Sequence, residues 1–174
     1  MISRLFPWAS GMAALAALAV SAALNSPAAA AAPWCAVDSL TLNTVGPISG
    51  GEEPQVSFEV VLTNTAPEAC TLQGYPGVDL VGPDNPTWGP TFSLPRQDGD
   101  PQPVTLAPGA SAGSLVRFLP EQGGGWVPDT IVVTPPDSTT QLEVPWITGG
   151  IAVFRQDGAT HPGSYIAPLE PYDY

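Results

Sequence analysis

Apolar and polar residues alternate along Val56-Ser57-Phe58-Glu59-Val60-Val61-Leu62-Thr63-Asn64, the period that puts successive side chains on opposite faces of a β-strand. Val56, Phe58, Val60 and Leu62 are expected to face a core, with Ser57, Glu59 and Thr63 turned to water. Shorter runs of the same kind predict strands at 40–45, 78–81, 91–94, 104–106, 111–119, 130–134, 141–144, 151–154 and 165–167. Pro, Gly, Asp and Asn separate nearly all of them, each favouring turns for its own backbone reason. After the first thirty residues no segment carries the i, i+3, i+4, i+7 apolar spacing of an amphipathic helix over three turns. Many short strands without helices predict an all-β fold, an antiparallel immunoglobulin-like β-sandwich.

The start of the chain has a different pattern. Arg4 is the only charge before Asp38, an apolar run extends from Met12 to Leu24, and an alanine tract follows Asn25-Ser26-Pro27. This is the layout of a secretory signal peptide, and the apolar run is shorter than the roughly 20 residues needed to span a bilayer. We therefore assign residues 1–30 to a signal peptide and 31–174 to a single β-sandwich domain, with no membrane insertion once the signal is removed. Lipoprotein processing at Cys35 would need a small residue before it, and Trp34 stands there. Arg4 has no second arginine to form a twin-Arg signal.

Composition sharpens that picture. The chain holds 16 acidic residues, all after the leader, and its net charge is −12. It has no lysine, and Arg96, Arg117 and Arg155 are the cations of the domain. Such a surface repels nucleic acid and anionic lipid, which excludes nucleic acid as a partner. It suits solubility, or a cationic partner or divalent ions in the wall. Two cysteines in an exported chain make one disulfide, Cys35–Cys70, since their spacing fits neither a redox pair nor a zinc site. Arg-Gln-Asp-Gly occurs twice, at 96–99 and 155–158, and its Asp-Gly step predicts a hairpin tip at both places.

Candidate chemistry is sparse. Gly109-Ala110-Ser111-Ala112-Gly113 matches a nucleophile-elbow pattern, and His161 follows it after several aspartates, in hydrolase order. An elbow requires a strand entering and a helix leaving, whereas the residues after Ser111 read as a strand. His161, the one histidine, stands in a loop-like Thr160-His161-Pro162-Gly163. Asp98 and Asp100, with Asp84, offer oxygens to calcium but lack the register of a calcium-binding EF-hand loop. No metal site and no cofactor are expected. Trp88, Trp126 and Trp146 each adjoin Gly or Pro at predicted loop edges; they are possible ligand-contact aromatics, or caps on the ends of the core.

Cys70-Thr71-Leu72-Gln73-Gly74-Tyr75-Pro76-Gly77-Val78, with Leu62-Thr63-Asn64-Thr65 before it and Leu106-Ala107-Pro108-Gly109-Ala110-Ser111-Ala112 and Val132-Val133-Thr134-Pro135-Pro136 after it, resembles a family of secreted and lipoprotein domains common in actinobacteria and of unknown function. The resemblance implies a β-sandwich with Cys35 bonded to Cys70 and Ser111 in a turn before a strand. Many members carry a second cysteine pair that this chain lacks, which leaves the end near Trp126 and Gly149-Gly150 expected to be looser. The resemblance brings no activity. The expectation is a non-catalytic domain, secreted or cell-wall-associated, that binds an extracellular or envelope protein or glycan. The alternative is a secreted serine hydrolase using Ser111 and His161.

Overall fold

In the computed structural model the residues described are 31–48 and 54–173. The signal peptide assigned to residues 1–30 lies outside the described residues. Alternation builds β1 (Leu40–Ile48), β2 (Val56–Asn64), β3 (Cys70–Leu72), β4 (Gly77–Val81), β5 (Thr91–Ser93), β6 (Val104–Leu106), β7 (Ser111–Phe118), β8 (Thr130–Thr134), β9 (Leu142–Pro145), β10 (Tyr165–Ile166) and β11 (Glu170–Tyr172). One short 3-10 turn, Val37–Ser39, precedes β1. The described fold is all-β, and its paired strands are antiparallel throughout.

Three sheets result. One runs β1-β2-β7-β10, with β11 also on β7; another runs β5-β4-β8-β9; β3 and β6 form a small ladder. Phe58, Val60, Val116 and Phe118 of the first sheet pack with Val78, Leu80, Phe92, Ile131 and Val133 of the second in one buried cluster. Leu40, Leu62, Leu72, Leu106, Ala112 and Leu169 make a second cluster beside the small ladder. Each fully buried Leu, Val or Phe contributes about 1.5–3 kcal/mol relative to exposure, so these interleaved faces hold the layers together. Two facing layers are compatible with the immunoglobulin-like sandwich. Cys35 is bonded to Cys70, tying the segment before β1 to β3.

Three expectations change. First, the outer face of β2 is not open to water: Val61 is fully buried and Ser57, Glu59 and Thr63 are half-buried. The closing residues 168–174, which the sequence reads as the end of a last strand and a frayed tail, supply β11, which extends the same sheet beside β7 with Glu170 paired to Gly113 and Tyr172 to Ser111. Second, neither Arg-Gln-Asp-Gly copy is a hairpin tip. The strands flanking the first, β5 and β6, pair with β4 and β3, and those flanking the second, β9 and β10, pair with β8 and β7. Asp-Gly permits a tight turn, but apolar faces meeting across the layers decide which strands pair. Third, the segment predicted as a strand at 151–154 contributes only isolated bridges through Val153, to Pro120 and Trp126.

Candidate functional site

The candidate site lies where three connections meet: residues 82–90 between β4 and β5, 119–129 between β7 and β8, and 146–164 between β9 and β10. Asn85 shapes the first. Its side-chain oxygen accepts from the backbone N–H groups of Thr87 (2.9 Å) and Trp88 (3.1 Å), while Asn85 and Gly89 exchange main-chain hydrogen bonds. Trp126 anchors the second, donating from its indole nitrogen to the Pro83 carbonyl at 2.8 Å. The third is laid against the second by Glu121 N–H to the Ala152 carbonyl, Val153 N–H to the Trp126 carbonyl and Phe154 N–H to the Leu119 carbonyl.

Arg155 locks the three together. Its side chain is 4 % exposed. Nε and Nη2 grip Asp157 in a fork at 2.9 and 2.6 Å, and Nη1 and Nη2 donate to the carbonyls of Gly89 (2.6 Å), Trp88 (3.2 Å) and Thr91 (2.6 Å). The guanidinium also sits 4.7 Å from the Trp126 ring centroid and 5.6 Å from that of Phe92. A planar fork with several fixed donors suits this role better than an ammonium would. The end of the domain expected to be looser is thus tied by a polar clasp over aromatic rings.

Above the clasp is an open cleft of about 450 Å³, lined among others by Asp84, Trp88, Glu121, Trp126 and Phe154. Trp88 is 51 % exposed and Phe154 49 % exposed. Gly125 leaves room for the Glu121 carboxylate, since a Cβ there would collide with it. The cleft therefore presents two large apolar rings and two carboxylates on a backbone held from beneath.

The three tryptophans singled out by sequence have different fates. Trp88 stands at the cleft as a ring open to contact. Trp126 also lines it, but the residue is 9 % exposed and its ring forms the floor under Arg155. Trp146 belongs to the core: it meets Phe58 edge-on at 5.7 Å and Phe118 at 5.2 Å. An alternating position at the end of β9 turned it inward. Phe154 and Glu121 were not singled out by sequence: Phe154 read as the last residue of a predicted strand at 151–154, which forms only isolated bridges through Val153, and Glu121 carried no signal of its own.

Ser111 and His161 are not brought together. Ser111 opens β7, is buried, and shares a 2.8 Å hydrogen bond with the Thr63 hydroxyl. The loop of His161 lies past the other end of β7, where Gly163 packs on Leu119, and the strand between them is about 24 Å long. His161 is exposed and its Nδ1 lies 3.2 Å from the Thr160 hydroxyl. Among the described residues no three His, Cys, Asp or Glu side chains converge as a metal site would require. Asp84 borders the cleft, while Asp98 and Asp100 sit between β5 and β6, with Asp100 accepting from Gln102.

Among the described residues no helix is long and apolar enough to cross a membrane. No curated protein matches the sequence. Residues 35–163, most of the chain, from the disulfide through β9 and the loops that form the cleft, match the DUF4232 family, a domain of unknown function, and the chain belongs to that family.

Proposed function

We propose that this is a non-catalytic binding domain, secreted or held at the cell envelope, whose protein or glycan ligand is taken by the cleft bearing Trp88 and Phe154. The observation that carries the reading is that two large rings stand half-exposed at one cleft while the backbone under them is clasped by Arg155. Apolar rings held rigidly at a surface present contact area with little left to order on binding. The disulfide supports an oxidising compartment outside the cell, and the leader-like first thirty residues support export.

The test is capture from two pools, envelope proteins and envelope glycans, by the oxidised domain and by its Trp88→Ala and Phe154→Ala variants. The reading expects a reproducible ligand whose retention falls in both variants. Absence of any ligand from either pool, or equal retention by all three proteins, would sink it.

A further inference from the structure

Resting on that reading, we infer that the ligand of the cleft is a protein presenting a cationic side chain, an arginine guanidinium or a lysine ammonium, which stacks on the Trp88 or Phe154 ring and meets Asp84 and Glu121. Aromatic faces attract cations through their quadrupole, and here the rings share the cleft with two carboxylates. Among the described residues the ion pair is Arg155–Asp157, so neither Asp84 nor Glu121 has a cationic partner.

The domain's own cations do not fill this role. Arg155 borders the cleft, but its donors are engaged by Asp157 and three carbonyls. Arg96 lies over Tyr75, and Arg117 lies over Tyr165 while donating to its hydroxyl. With no lysine in the sequence and a net charge of −12, a second copy of the chain is repelled and offers Arg96 as its one exposed guanidinium among the described residues. The complement must come from a different, basic polypeptide. An uncharged glycan would cover the rings but leave both carboxylates without a counter-charge, which places it second to a basic segment.

The probe is the peptide acetyl-Gly-Arg-Gly-Lys-Gly-amide, compared with its Gln-for-Arg-and-Lys counterpart and with a neutral oligomer of N-acetylglucosamine. Binding is read from the Trp88 indole N–H resonance, assigned by its loss in Trp88→Ala. The basic peptide should shift that resonance, more weakly as salt rises from about 20 to about 200 mM, and the Gln peptide should not. Asp84→Asn and Glu121→Gln should each weaken binding about three- to fivefold, with unchanged melting temperature. Failure of the basic peptide to bind, equal binding of the Gln peptide, or indifference to both carboxylate variants would overturn the inference. A shift caused by the neutral oligomer and not by the basic peptide would also overturn it, while leaving the cleft standing as a binding site.

Discussion

The ring of Tyr172 occupies the space that a side chain at Gly113 would need: a Cβ built there would lie 2.7 Å from Tyr172 Cδ2 and 3.2 Å from Cγ. Those atoms are close to the Tyr172 backbone, which β11 pairs to β7, so the ring cannot swing away without moving the strand. Gly113→Ala should therefore lift β11 off the sheet and cost about 1–3 kcal/mol. Urea denaturation measures the loss, and faster hydrogen exchange at the amides of β11 would locate it. An unchanged midpoint would show that the C-terminal strand does not depend on this packing.

The two Arg-Gln-Asp-Gly copies predict different mutational costs. Arg155→Met removes the partner of Asp157 and the guanidinium's hydrogen bonds to three carbonyls, a change of about 3 kcal/mol or more. Arg96 is exposed and stacked on Tyr75, so Arg96→Met should cost below about 1 kcal/mol. Thermal melts of both variants decide the point, and equal losses would contradict the difference in their surroundings.

Closing the loop between Cys35 and Cys70, a sequence separation of 35, should contribute about 3 to 4 kcal/mol by restricting the unfolded chain. Replacing both cysteines by Ala should lower stability by that amount. The oxidised domain should show no alkylatable thiol and a mass two hydrogens below the reduced form. A free thiol in the domain purified without reductant would break this account of the link between β3 and the start of the domain.

Burial lifts the Glu59 carboxyl above its ordinary value, and the nearby charge of Glu170 lifts it further. The folded state then holds its proton more tightly than the unfolded chain, so ionised Glu59 opposes folding when the pH is above the raised value. Glu59→Gln should stabilise the domain at neutral pH. The gain should shrink as pH falls through the folded value and vanish below the ordinary carboxylate range, where both states are protonated. Glu170→Gln should move the Glu59 titration back toward normal, as a carbon-detected NMR titration would show. A gain from Glu59→Gln that persists unchanged into acid would refute this assignment.

Much of the fold is legible in single segments. Val56 to Leu62 names its own core face because a strand's side chains alternate whatever it pairs with, and Phe58, Val60 and Leu62 are buried accordingly. Val61 is the exception, fully buried on the face that alternation assigns to water. Trp88 and Trp146 look alike in sequence, each beside Gly or Pro, yet Trp88 stands exposed and Trp146 is packed among Phe58 and Phe118. Local sequence does not say which layer a loop-edge ring will find.

From the sequence alone came the strand periodicity, the all-β class, the single disulfide and the shortage of free cations, because each follows from residue type or short-range spacing. Tertiary structure decided which loops share an end of the sandwich. Asp84, Trp88, Glu121 and Phe154 lie on three connections far apart in the chain and converge only because β4, β5, β7, β8 and β9 are ordered across two facing sheets. The same ordering made one Arg-Gln-Asp-Gly a buried clasp and left the other at the surface, since identical local chemistry acquires its energy from the partners that long-range packing brings to it.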